Sequence, residues 1–253
     1  MNHHATTNHE RITILEIPFD SIKNTEVLTL VLEKLTGNSK HFFVATPNPE
    51  MLLEARKNEQ FKKILNTTDL NIPDGFGIML ASGIIGKPLK ERVTGTDCMQ
   101  AICHYAPEGT KIFLLGAAPG VAEKTKEILE KRYPNIKVIG THSGFPAAEN
   151  DEQSRHLINQ SGAELLFVAY GAPKQEMWIA RNLPHLTHVK VVMGVGGAFD
   201  FISGQIKRAP YWMRKIGLEW FYRLTKQPTR IGRIFNATIK FPIVFVISLF
   251  QKR

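Results

Sequence analysis

One carboxylate, Asp74, stands between a proline and a glycine in the stretch NIPDGFGI, with apolar residues on either side. Such a residue is either the polar corner of a tight turn or a base held rigidly at a pocket mouth, where it can take a proton from an attacking hydroxyl. YGAPKQE brings Lys174, Gln175 and Glu176 together just after Gly171. Pro173 opening a helix with Glu176 in its first turn is a structural account; alternatively Lys174 neutralises a diphosphate and the Gln175 amide reads sugar hydroxyls or a base edge. ERVTGTD holds Arg92 near Thr94, Thr96 and Asp97. A helix N-cap at Thr96 with Asp97 in the first turn explains those two residues and leaves Arg92 unexplained.

Two further loops are built of small residues. LLGAAPG, which contains Gly116, runs from a strand candidate into a helix candidate and either offers backbone N–H groups to a phosphate or makes a tight turn. It matches neither G-x-G-x-x-G nor a P-loop. In GVGGAFD, Gly196 and Gly197 allow close backbone approach to a ligand or merely let the strand turn, and Asp200 accepts a hydrogen bond from a ribose or caps a helix. No D-x-D is present, and ENDE at Glu149 to Glu152 reads as an acidic helix start, so no metal site is expected. If the ligand is a nucleotide diphosphate, positive side chains or helix ends must meet its charge.

The elements that position these loops alternate along the chain. Strand candidates are ITILEIPF, HFFVAT, LNIP, KIFLLGA, KVIGTHSGF, ELLFVAYGA and HVKVVMGVGGAF. Between them the apolar spacing predicts helices over Thr25–Leu35, Pro49–Asn58, Phe76–Gly83, Thr96–Tyr105, Val121–Tyr133, Asn150–Ser161 and Lys174–Leu183. Near-continuous apolar strands between helices indicate an α/β, Rossmann-like, mostly parallel sheet with helices on both faces. In such a sheet ligands bind outside the carboxyl ends of the strands, which is where the loops above fall.

Charge divides the chain more sharply than composition does. Of the 32 Lys and Arg, eleven fall within residues 205–253 against the single acid Glu219, so that segment is +10 and the other 204 residues sum to −1. Residues 1–10 read as a flexible tail, 11–204 as the α/β catalytic core and 205–253 as a basic amphipathic helical appendage carrying nine aromatics. Its final apolar run, FPIVFVISLF, is about ten residues where a span needs about twenty, so it suits an anionic membrane interface rather than a crossing. The same segment is also compatible with packing on the core or on a sister subunit, or with a nucleic-acid-binding tail that grips phosphates and stacks bases. Cys98 and Cys103 read as buried free thiols, and His3, His4 and His9 as solvated rather than metal-binding. The N-terminus has no apolar core like that of a secretion signal, which points to the cytoplasm.

Taken in order, TPNPE, IPDGFGI, RVTGTD, FLLGA, YGAPKQEMWI, GVGGAFDFISGQIKRAP and GLEWFYRL resemble the WecG/TagA/CpsF family of bacterial glycosyltransferases, from Pro18 to Arg233. The resemblance implies transfer of a sugar from a UDP-sugar to a saccharide on a polyprenyl diphosphate at the inner face of the cytoplasmic membrane. N-acetylmannosamine onto N-acetylglucosamine is the favoured pair, with UDP-glucose or another hexose as the alternative donor. It makes Asp74 the catalytic base and sets Thr46 and Asn48 near the sugars. Arg92, Gln175 and Asp200 would line the same pocket, and Arg223, Arg230 and Arg233 would reach the donor diphosphate in place of a metal. No cofactor is implied, and association into a homo-oligomer through the appendage is an open expectation.

Overall fold

A computed structural model describes residues 9–37, 41–226 and 228–251; His3 and His4 lie outside it, as do the side chains of Arg223 and Arg230. In chain order the elements are β1 (Arg11–Ile14), β2 (Ile17–Asp20), α1 (Asn24–Thr36), β3 (Phe42–Ala45), α2 (Pro49–Ala55), α3 (Glu59–Thr67), β4 (Leu70–Asn71) and α4 (Phe76–Ile84). They continue with α5 (Gly95–Tyr105), β5 (Thr110–Gly116), α6 (Val121–Arg132), β6 (Ile136–His142), α7 (Asp151–Ser161), β7 (Leu165–Ala169), α8 (Lys174–Asn182), β8 (Val191–Gly194) and α9 (Ala198–Ile202). The basic segment forms α10 (Tyr211–Lys215), α11 (Glu219–Lys226), α12 (Ile231–Phe235) and α13 (Phe241–Gln251).

Six parallel strands lie in the order β4-β3-β8-β7-β5-β6, as the α/β reading requires. Successive strand residues point to opposite faces, so each strand feeds two cores. Phe43, Phe113, Leu115, Leu166, Val168 and Val192 pack with residues of α2, α3 and α8. Phe42, Val44, Ile112, Leu114, Phe167 and Met193 pack with α1, α5, α6 and α9. The faces decide where a ligand can enter. β3 and β7 run into α2 and α8 on one face, while β8 between them runs into α9 on the other. The carboxyl ends of three adjacent strands therefore splay apart and open a crevice.

Several expectations are corrected. ITILEIPF is a two-stranded antiparallel hairpin, not one strand: Leu15 and Glu16 both adopt positive φ, 46° and 67°, which makes the tight turn. His9 is not solvated; its Nε2 lies 2.7 Å from Oδ1 of the buried Asp20, whose Oδ2 accepts from the Asn71 backbone N–H at 2.6 Å. Asp20 thus ties the hairpin to β4. The N-cap of α5 is Thr94 rather than Thr96, because the Thr94 hydroxyl is the one three residues before the Asp97 N–H that it accepts. The apolar C-terminal stretch is longer than the ten-residue run FPIVFVISLF: helical backbone runs from Ile231 to Gln251, 21 residues, long and apolar enough to cross a membrane. Hydropathy alone stopped at Lys240, but the helix continues through it by a wide π turn over Asn236–Lys240. Cys98 and Cys103 are buried free thiols, and burial pushes both up to about 12.

Gly116 proves to be a packing residue. Its φ is 103°, and a Cβ there would lie 2.8 Å from the Ala169 carbonyl carbon and 3.0 Å from the Tyr170 nitrogen. Gly116→Ala is expected to destabilise the protein by about 3 kcal/mol, the combined scale of left-handed strain and overpacking, read as a lower urea midpoint at unchanged m.

Candidate active site

The loops after β3 and β4 are laced together by backbone hydrogen bonds. Ile72 N–H donates to Ala45 O at 3.0 Å, Asp74 N–H to Pro47 O at 3.1 Å and Val93 N–H to Pro73 O at 3.1 Å. Three segments therefore fix the Asp74 backbone. Asn48 caps α2 by accepting from the Met51 N–H at 3.1 Å, with Pro49 in the first turn. Gly75 starts α4 with φ 104°, and a Cβ on it would stand 3.1 Å from the Pro49 ring. The glycine after Asp74 is thus required both by the left-handed backbone and by the neighbouring loop.

Asp74 lies on the border of two cavities. The first, of about 290 Å³, fills the crevice at the strand ends and is lined by Thr46, Asn48, Asp74, Thr96, Gly171, Gln175, Gly196, Gly197, Asp200 and Arg233, among others. It is a polar chamber with two positive-φ glycines, Gly171 and Gly196, on its rim. Gln175 is buried and acts as a clasp between their loops: its Oε1 accepts from the Gly171 N–H at 3.1 Å and from the Gly196 N–H at 3.0 Å. The second cavity, of about 420 Å³, opens on the other side of Asp74. Phe76, Leu80, Trp220, Ile234 and Pro242 give it apolar walls; Arg92, Arg208, Glu219 and Arg233 give it charge. Asn48, Asp74, Thr96 and Arg233 line both.

Cations gather around the second cavity through specific pairings. Arg208 holds the Asp97 carboxylate through both terminal nitrogens, with Nη2 to Oδ2 at 2.8 Å, and reaches Thr94 Oγ1 at 3.1 Å. Its Nε lies 3.7 Å from Glu219 Oε1. Arg214 Nη1 adds a 3.5 Å contact to Asp97, and Arg92 Nη2 donates to the Arg214 carbonyl at 2.7 Å. Partial burial opposes ionisation of Asp97, but the hydrogen bonds from Arg208 and Thr94 and the two guanidinium charges outweigh it and hold the carboxyl below its usual range. Partial burial likewise opposes the Arg208 cation and is outweighed by Asp97, Glu219 and Asp74, which favour it. Arg233 Nε donates to Glu50 Oε2 at 2.7 Å.

The expected residues sort cleanly. Thr46, Asn48, Asp74, Arg92, Gly171, Gln175, Gly196, Gly197, Asp200 and Arg233 come together around the two cavities. Gly116, Lys174 and Asp97 line neither: Gly116 packs against β7, Lys174 is exposed at the start of α8, and Asp97 holds Arg208. Arg223 and Arg230 fall outside the described side chains. Sequence reasoning missed Arg208, Glu219 and Trp220, because one basic residue within a basic segment carries no mark until its partner across the fold is known. Among the described residues no group of three His, Cys, Asp or Glu side chains forms a metal-ligand set.

The model of the glycosyl transferase WecG/TagA/CpsF family matches residues 12–253. The chain is 35% identical over 199 residues to an N-acetylglucosaminyldiphosphoundecaprenol N-acetyl-beta-D-mannosaminyltransferase of Bacillus spizizenii, covering 78% of this chain and 76% of the relative. Proteins of the same name from Bacillus subtilis and Staphylococcus aureus are 32% identical over 225 residues and 34% over 238, covering 88% and 92% of this chain and 87% and 91% of theirs.

The Arg208–Asp97 pairing has a defined pH signature. The Asp97 carboxyl titrates lower in the folded protein than the ordinary value of about 3.9, so its contribution is complete above that value and is lost as pH falls through the lower folded one. Asp97→Asn should make residues 205–251 several-fold more sensitive to limited trypsin digestion at pH 7. In urea titrations its stability deficit should shrink towards zero as pH drops below about 3.9.

Proposed function

The chain belongs to the WecG/TagA/CpsF family of glycosyltransferases, and from that premise we propose that it moves N-acetylmannosamine from UDP onto a polyprenyl-diphosphate-linked N-acetylglucosamine. The observation that carries this reading is Asp74 on the border of a polar cavity and an apolar-walled one. A nucleotide-sugar suits the first: glycine loops let the backbone approach the diphosphate, and Asp200 is in position for a ribose. A lipid-linked saccharide suits the second. Its sugar would sit at Asp74, its diphosphate beside Arg92 and Arg208, and its tail over Phe76 and Leu80 towards Ile84, which repeat every fourth residue along α4 and are 48–62% exposed.

The chemistry follows from that seating. Asp74 takes the proton from the acceptor hydroxyl as it attacks the anomeric carbon, and UDP departs on the opposite side, so one displacement inverts the configuration. Negative charge growing on the leaving diphosphate is met by guanidinium forks rather than a divalent ion, with Arg233 bordering both cavities. Membrane association of a peripheral kind completes the reading. Phe241 and Phe245 are buried against the core, while Ile239, Ile243, Val246, Ile247 and Phe250 make an outward apolar stripe at helical spacing. Thr238 and Pro242, next to Ile239 and Ile243 in the chain, line the apolar-walled cavity that a lipid acceptor would enter.

Asp74→Asn keeps the shape of the side chain and removes the base. It should lower kcat by more than tenfold, over about 1.4 kcal/mol in the barrier, with UDP affinity and melting temperature nearly unchanged and wild-type transfer persisting in EDTA. Assays with UDP-N-acetylmannosamine and a short-chain lipid-linked N-acetylglucosamine read this directly; retention of more than a tenth of the rate counts against the role.

A further inference from the structure

Beneath the polar cavity lies a carboxylic acid that the reaction does not use. Glu176 is fully buried, and its Oε1 accepts from Gln175 Nε2 at 2.7 Å. Its Oε2 is buried with no hydrogen-bond partner. Gln175 is the clasp whose Oε1 holds the Gly171 and Gly196 N–H groups. Two N–H donors call for the amide oxygen, and the nitrogen that is thereby turned to the buried far side needs an acceptor there. Glu176 supplies that acceptor. The space is tight as well: a Cβ on Gly194 would stand 2.6 Å from Gln175 Nε2 and 3.1 Å from Glu176 Oε1, so a glycine there lets the pair lie against β8.

Among the described residues no ion supports a charged Glu176. Burial pushes its carboxyl from an ordinary 4.5 up to about 7, opposed only by the Gln175 and backbone hydrogen bonds. Charges on the elements packed against α8 are exposed or engaged elsewhere. Lys62 of α3 pairs with Glu16 and Glu59, and Lys63 is exposed. On α7, Asp151 pairs with Arg181, Arg155 bonds Asn182, and Glu152 and His156 are exposed. The strands β7 and β8 carry no charged residue, and His185 is exposed.

We infer that Glu176 is a positioning residue that works as a neutral acid: it orients the Gln175 amide, and through it holds the two glycine loops of the polar cavity in register. Ionisation leaves a buried charge with one unpartnered oxygen, which is relieved only by opening the clasp or admitting water. The folded carboxyl titrates higher than its ordinary value, so the clasp is complete below that value and is lost as pH rises through about 7.

The test reads the loops without any ligand. Amide hydrogen exchange of Gly171 and Gly196, corrected for the intrinsic pH dependence, should show protection in the wild type that falls about tenfold between pH 5.5 and 6.5, one decade per unit below the titration, and levels off above about 7. Val168 in β7 should hold its protection. Glu176→Gln, which keeps the acceptor without a titrating proton, should stay protected across that range, and Glu176→Ala should be unprotected throughout. Wild-type protection that is flat from pH 5 to 7, or Glu176→Ala protection equal to wild type, overturns the inference. The inference bears on the proposed donor site, and UDP affinity measured on the same samples separates the two ideas. Loss of UDP affinity in step with protection supports both. Clasp behaviour as described with no UDP binding at any pH leaves the inference standing and removes the donor-site reading.

Discussion

One guanidinium fork holds the two halves of the site together. Arg208, from the segment after the last sheet helix, grips Asp97 at the start of α5, and Asp97 is itself bonded to the Thr94 hydroxyl that caps that helix. The start of the basic segment is thereby anchored beside the loop that carries Arg92, while Arg233 with Glu50, and Phe241 and Phe245 in the core, hold α12 and α13. The carboxylate also draws in Arg214, whose carbonyl receives Arg92. Trp220, Ile234 and Pro242 complete the outer wall of the larger cavity. The pairing is only partly exposed, so salt screens it less than a surface bridge.

The second constraint is the splay of β3, β8 and β7. Because their following helices leave on alternating faces, three loops converge on one crevice without any of them being long. A reaction that joins a water-soluble nucleotide-sugar to a lipid-linked sugar needs two chambers of opposite character meeting at one base. The fold makes the polar chamber from the sheet and the apolar-walled one from α4 and the C-terminal helices. Asp74, three residues beyond a two-residue strand, is pinned by backbone bonds to both neighbouring loops at the place where they meet.

Much of this was legible before any coordinates. The alternation of apolar strands and helices indicates the parallel sheet, and nine of the residues singled out in or beside the loops gather at the cavities because strand ends must converge in such a sheet, with Arg233 added from α12. The failures have physical causes. Leu15 and Glu16 carry no glycine or asparagine to announce a positive-φ turn, so the hairpin reads as one strand. Thr94 and Thr96 are equivalent as sequence, and only helix geometry chooses between them. His9 looks solvated in a polar tail because its partner, Asp20, is across the hairpin. Arg208 and the Gln175–Glu176 pair gain meaning from contacts far apart in the chain or hidden under it, which no local pattern reports.

The central claim is that Asp74 divides a nucleotide-sugar chamber from a lipid-acceptor chamber. A crystal structure with UDP bound tests it most directly. The account predicts the uridine in the cavity of Gln175, Gly196 and Asp200, with its diphosphate directed to Asp74 and Arg233 and the Phe76–Trp220 cavity left open. Uridine seated between Phe76 and Trp220, or a diphosphate pointing away from Asp74, would contradict it.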